Sequence, residues 1–352
     1  MNVFEIESRR LHANSVARAR RAANAAPNAS AGATLVELMV ALVLAAIVLL
    51  ALTVVFAGGS QNRKETERAN RQIENGAYAI QLLTDDLRLA GYYGEFDPTP
   101  LTIPALPGLC ETDVTTLATM LRLPIQGADE VSADQACGTK TLKVLTGNDV
   151  LVVRRVATCI AGPTADADCD TTGPYFQAAS CETTLLSTLP TDAYKLAAAT
   201  SAMTLTKKDC ATPANYRGYR THVYFVSPED KAGDGIPTLK RAELTGADYT
   251  VVPLVEGVEQ FQVEYGLDTA GGDGVPDTWS AAPTTAANWS TAVVARVYIL
   301  ARNLEKTPGY TDAKSYVMGG KTFTPASADR GYKRHLYRTE VRLINPAGRR
   351  SS

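Results

Sequence analysis

Few residues of this 352-residue chain have types and spacings that could do chemistry. The three histidines, His12, His222 and His335, stand far apart, and none belongs to a Ser/His/Asp or Cys/His motif. No Gly-rich phosphate loop stands out, so an enzyme is not expected. One loop could hold a cation. Asp268-Thr269-Ala270-Gly271-Gly272-Asp273-Gly274-Val275-Pro276-Asp277 offers the carboxylates of Asp268, Asp273 and Asp277 as oxygen ligands for calcium. The EF-hand order of acids is missing, as is its closing Glu, and a solvated turn between strands is the preferred reading. Ca2+ is the one cofactor left open; otherwise none is expected.

The six cysteines, Cys110, Cys137, Cys159, Cys169, Cys181 and Cys210, form no CxxC and have no histidine near them, which argues against zinc. All lie C-terminal to a long apolar run. An even number on one side of such a run points to disulfides in an oxidising compartment. Of the many pairings possible, the sequential one is expected: Cys110–Cys137, Cys159–Cys169 and Cys181–Cys210. Each bridge would contribute about 2–4 kcal/mol to a loop-rich region poor in apolar residues.

The other singular residue is Glu37. It sits at the mouth of Leu38–Ala57, a stretch with no charge and no proline. A helix of that length crosses a hydrocarbon core of about 30 Å. An ionised carboxylate near bilayer depth costs several kcal/mol unless it finds a partner. Charge agrees with an anchored protein that avoids nucleic acid. The net charge is −2, and residues 1–32 hold five arginines against Glu5 and Glu7, which leaves about −5 on the rest. Arginines before the run (Arg9, Arg10, Arg18, Arg20, Arg21) nearly balance the basic flank after it (Arg63, Lys64, Arg68, Arg71), so orientation rests on the cysteines.

These residues must be positioned by a few long elements. Residues 1–32 read as a leader. A helix from about Thr34 to Ala90, roughly 85 Å long, follows. Gly58-Gly59 could loosen it. Beyond, Ile73, Ala77, Ile80, Leu83, Leu87 and Ala90 recur as an apolar stripe for a sheet. Residues 97–220 read as loops, interrupted by a strand at 149–156. Thereafter Thr221–Val226 and Thr238–Glu243 form a hairpin pattern, and Val258–Tyr265, Val293–Leu300 and Tyr337–Ile344 alternate as half-buried strands. Consecutive strands without intervening helices predict an antiparallel sheet.

Gly32-Ala33-Thr34-Leu35-Val36-Glu37-Leu38-Met39-Val40-Ala41-Leu42 resembles the class III signal of type IV pilins. The resemblance implies peptidase cleavage between Gly32 and Ala33 and methylation of the new amino terminus, although the family usually has Phe where this chain has Ala33. Glu37 would then pair with a neighbouring subunit's Ala33 amine on assembly. The segment Ile73–Gly94, with Glu74-Asn75-Gly76-Ala77-Tyr78-Ala79 and Asp86-Leu87-Arg88-Leu89-Ala90-Gly91-Tyr92-Tyr93-Gly94, is similar to the PilW family of minor pilins. Tyr78, Leu87 and Tyr92 are read there as core.

The expected fold is therefore α+β and pilin-like: a long N-terminal helix, transmembrane in its first half, packed on an antiparallel sheet, with a disulfide-rich loop region. Residues 1–32 would be the leader, 33–95 the transmembrane and assembly helix, and 96–352 a periplasmic domain. The resemblance implies a minor pilin that primes or joins a type IV pilus. Its partners would be prepilin peptidase, other minor pilins, the major pilin and the inner-membrane assembly machinery. Two alternatives are a type II secretion pseudopilin and a pilus-tip adhesin using the cysteine-rich middle. A secretory signal peptide ending near Gly58-Gly59 is the rival for the apolar run, which is long for one.

Overall fold

A computed structural model describes residues 32, 34–161, 166, 169, 172–185 and 190–351. The leader expected over 1–32, with His12, lies outside the described residues except for Gly32, and so does Ala33. The chain divides into two units, 1–63 and 64–352, and each is taken by itself.

The first unit holds the opening part of helix α1 (Leu35–Leu89). Gly58 and Gly59 do not interrupt it. Each costs about 1 kcal/mol of helix propensity, spread over a helix of 55 residues rich in Ala, Leu, Glu and Arg.

The second unit begins within α1 and continues through helix α2 (Val114–Thr119) to β1 (Ile125–Val131). The hairpin β2 (Gln135–Cys137) and β3 (Lys140–Leu142) precedes β4 (Asn148–Val156) and β5 (Tyr175–Ala178). A single helical turn, α3 (Glu182–Leu185), leads to β6 (Tyr194–Ala197). The long β7 (Tyr216–Ser227) is followed by β8 (Thr238–Thr245), β9 (Asp248–Glu256), β10 (Val258–Leu267) and β11 (Thr278–Ser280). Helix α4 (Ala286–Ser290) precedes β12 (Ala292–Arg302), and the hairpin β13 (Tyr316–Met318) and β14 (Lys321–Phe323) precedes β15 (Arg334–Arg342). The chain ends in α5 (Ile344–Arg350), which begins where the sequence reading still expects strand.

Two antiparallel sheets result. In the seven-stranded one, β7 pairs β4 along one edge and divides the other, Tyr216–Gly218 to β5 and His222–Ser227 to β8. β1 lies outside β4, β6 outside β5 and β9 outside β8. The second sheet runs β11-β10-β12-β15. Side chains stitch the two together. Phe261 N–H donates to Asn148 Oδ1 and Val263 N–H to Asp149 Oδ2, both at 2.7 Å, where β10 has no strand on that edge. Two orphan amides are thereby satisfied without a ladder.

One core joins the helix to both sheets. Ala79, Leu83 and Leu87 pack with Leu151, Val153 and Tyr224 of the first sheet and with Phe261, Val263, Val297 and Ile299 of the second. A second core fills the other face of the seven-stranded sheet, with Val152, Tyr219 and Val223 under Leu117, Met120 and Tyr93. The stretch expected to be loops carries β1, β2, β3, β5 and β6 as well as the expected strand. The bridges are Cys110–Cys137, Cys159–Cys169 and Cys181–Cys210, the sequential set.

Candidate functional site

The start of α1 is closed by its own side chains. Thr34 N–H donates to Glu37 Oε2 at 3.4 Å, and Glu37 N–H donates to Thr34 Oγ1 at 3.3 Å. This reciprocal pair is a capping box, which satisfies two of the amides that a helix N-terminus leaves open. Glu37 therefore has a partner within its own chain, and Gly32 just before it is exposed. From Leu35 to Phe56 the leucines and valines are more than half exposed. The one hydroxyl in the run, Thr53, donates back to Leu49 O at 2.7 Å. A helix with that composition and no unmet polar group inside it can enter hydrocarbon at little cost.

The second half of α1 is seated by polar residues as much as by apolar ones. Its buried face is Gln72, Gly76, Ala79, Leu83, Asp86 and Leu87. The expected stripe is thus displaced by one position at its start. Ile73 is 55% exposed and Tyr78, read as core, is 52% exposed. The physical reason lies in the sheet. Gln72 Nε2 donates to Ala301 O (2.8 Å) and Lys333 O (3.0 Å), so the amide ties the helix to backbone carbonyls of the second sheet. At Gly76 the helix backbone meets the ring of Tyr337, and a Cβ there would lie 2.1 Å from Tyr337 Cε2. Leu87 is fully buried as expected; Tyr92 is half-buried, under the Arg217 guanidinium at 5.8 Å.

Asp86 is the centre of the seat. Its carboxylate accepts from Arg155 Nε (2.7 Å) and Tyr224 OH (2.9 Å), and its second oxygen also meets His222 Nδ1 at 2.7 Å. Burial alone would raise its pKa. His222 and Arg155 outweigh that and hold it well below the usual carboxylate range. His222 thus belongs to the buried polar cluster that seats the helix. His335 is exposed, edge-on to Tyr337 at 4.6 Å. The helix then stops at Gly91, whose φ of 69° suits a residue without a side chain.

The carboxylates of the acidic loop serve its own backbone and a neighbouring helix. Among the described residues no group of three His, Cys, Asp or Glu side chains is placed to hold a metal. Asp268 is buried and bound to Arg350 of α5 at 2.8 Å, and it accepts from Gly272 and Gly274 amides. Asp277 accepts from Thr269 and Ala270 N–H, and Asp273 from Val275 N–H. Each carboxylate is committed to the turn or to the C-terminal helix, the arrangement of a turn between strands. Sequence reasoning missed Thr34, Gln72, Gly76 and Asp86. Thr34 had a local signal, Thr-x-x-Glu ahead of an apolar run, and Gly76 and Asp86 stood in the family-like segment without a role assigned to them.

Two family models match the chain. One, described as type IV pilus-assembly protein W (PilW), covers residues 223–345; the other, the prokaryotic N-terminal methylation motif, covers residues 27–53. The first spans the strands from β8 to β15, and the second brackets Gly32, Thr34 and Glu37. A solved structure of a type IV-like pilin from Thermus thermophilus aligns over 78% of this chain and 97% of that one, at 12% identity and a TM-score of 0.36. No curated protein sequence matches.

Proposed function

We infer the mode of action from what the chain is, a PilW-family minor pilin of the type IV class, with that family's domain at one end and a methylation motif at the other. It acts by assembly rather than catalysis. The apolar half of α1 anchors the precursor in the inner membrane, with residues 96–352 forming the domain on the periplasmic side. Prepilin peptidase cuts between Gly32 and Ala33, and the Ala33 amine is methylated. The helix then leaves the bilayer to pack against the helices of other minor pilins and the major pilin, with help from the inner-membrane assembly machinery. Entry into, or priming of, a type IV pilus is the outcome.

The observation that carries this reading is the start of α1. The methylation motif coincides with a helix whose apolar wall is uncovered in the single chain, and among the described residues the carboxylate at its mouth is engaged by nothing beyond its own capping box. Stacking would bury that wall and bring the carboxylate beside a neighbour's new amine, where each charge offsets the other's desolvation. The intact mass of protein purified from membranes tests the cut. A chain beginning at Ala33 is expected, with Gly32→Ala accumulating as precursor. A start at Ser60 would instead make the run a cleaved secretory signal and remove the anchor.

A further inference from the structure

A cavity of about 580 Å3 opens where the chain leaves α1. That volume lies within the range of about 300–1,000 Å3 typical of small-ligand sites. Its walls include Tyr92, Phe176, Ser180, Lys207, Lys208 and Arg217. It falls wholly in the stretch between the two family matches, so neither family assigns it a role.

The charge in this cavity is unusual for the molecule. The chain is net negative, yet three cations meet here against one carboxylate, Glu95. Neither Lys207 nor Lys208 forms a salt bridge with a described residue. The nearest acid in sequence, Asp209, is turned to its own loop, where it accepts from the Ala211 and Thr212 amides. Arg217 is fixed by carbonyls, donating through one nitrogen to Ala157, Thr158 and Cys159, and these leave its charge uncancelled. Three cations against one carboxylate in one concavity leave a positive excess that raises the local concentration of anions.

The walls are also held in place before any ligand arrives. Lys207 and Lys208 lie on a tight hairpin closed by Lys207 N–H to Thr212 O (2.8 Å) and by the bridge between Thr206 and Pro213. The Cys181–Cys210 disulfide ties that hairpin to the Ser180 wall, and Ser180 N–H donates to Thr206 O at 3.1 Å. Rigid presentation spares a ligand the cost of ordering the site. The Tyr92 hydroxyl and ring, and Ser180 Oγ as an acceptor beside its own bond to Glu95 Oε2 (3.4 Å), add hydrogen-bonding and stacking partners suited to a polyhydroxylated ring.

We propose that this cavity binds a carboxylated sugar unit of an acidic polysaccharide. Lys207, Lys208 and Arg217 face the carboxylate, and the Tyr92 and Ser180 oxygens face the ring. The test uses the full chain in detergent and isothermal titration calorimetry with a trimer of galacturonate, a neutral trisaccharide and a short single-stranded oligonucleotide. The galacturonate trimer is expected to bind, more weakly as salt rises, and the neutral sugar not to bind. Lys207→Glu with Lys208→Glu should weaken binding at least about tenfold, the scale of one lost charge-assisted contact, with an unchanged thermal midpoint. Ser180→Trp, which fills the cavity, keeps all three cations and removes only the Ser180–Glu95 hydrogen bond, should weaken it as well. Absence of galacturonate binding, equal binding of the neutral sugar, tighter binding of the oligonucleotide, or wild-type affinity in either variant would each overturn the proposal.

Discussion

Within α1, the stretch from Leu35 to Phe56 and the stretch from Gln72 to Leu87 meet opposite demands with the same backbone. The first leaves its leucines and valines uncovered and satisfies its polar groups from within, through the Thr34–Glu37 box and the Thr53–Leu49 bond. The second buries Gln72 and Asp86 and satisfies them from the sheets, while Ile73 and Tyr78 face outward. Uncovered apolar surface marks where another phase or another subunit belongs. Buried polar groups mark where the protein itself provides the partner.

The largest expected effect tests that contrast directly. Asp86→Ala strands Arg155 and His222 in the core and should cost about 3–5 kcal/mol, as breaking a buried ion pair does. Chemical denaturation of the full chain in detergent would read it, with membrane insertion unchanged. Leu44→Ala, in the uncovered half, should leave the same unfolding midpoint where it is. A large loss from Leu44→Ala would show that the first half has an intramolecular seat after all.

A second buried carboxylate sharpens the comparison through pH. Asp149 accepts two amides, from Glu130 and Val263, and no cation bonds to it. Burial pushes its pKa from 3.8 up to about 7. A folded pKa above the unfolded value means the folded form holds the proton longer. Its penalty is absent below about pH 4, grows as pH rises to about 7 and is constant beyond. Asp86 has the opposite sign: its contribution is present above its ordinary value of 3.8 and is lost only as pH falls below it. Stability should therefore fall by a few kcal/mol between about pH 4 and 7 in the wild type, and Asp149→Asn should flatten that decline. An unchanged pH profile in the variant would remove Asp149 as its source.

Smaller effects follow at the helix surface. Gly76→Ala forces a methyl against Tyr337 and should cost about 1–3 kcal/mol, most of it recovered in the Tyr337→Ala background. Additive losses would deny the contact. At the start of the helix, Thr34→Val removes one half of the capping box at a cost of about 1 kcal/mol. Hydrogen exchange of the first-turn amides should register it, while the domain's unfolding does not.

Much of the sheet was legible because alternation reports one-sided burial. β4, β7, β8, β10, β12 and β15 all stand where apolar and β-branched residues recur. β9 escaped because Pro253 reads as a strand breaker; it is tolerated since β9 pairs only with β8 and leaves one edge free of ladder bonds. The seat of α1 was misread at its first turns because periodicity counts apolar residues, whereas this face begins with an amide and a glycine. Their value depends on Ala301, Lys333 and Tyr337, more than two hundred residues away. Glu37 stood out from composition alone, but its box with Thr34 needed a motif of four residues to be read as a unit.

The most direct measurement concerns Glu37. Glu37→Val leaves the apolar wall longer and the scissile bond four peptides upstream, so processing and membrane level should match the wild type. Sheared pili should contain much less of the variant, because a neighbour's Ala33 amine would be buried without its counter-charge at a cost of about 3–5 kcal/mol. Quantifying the variant in sheared pili against the membrane fraction decides the matter. Depletion from pili with normal processing is the predicted result, and wild-type recovery in pili would contradict the role given to the first half of α1.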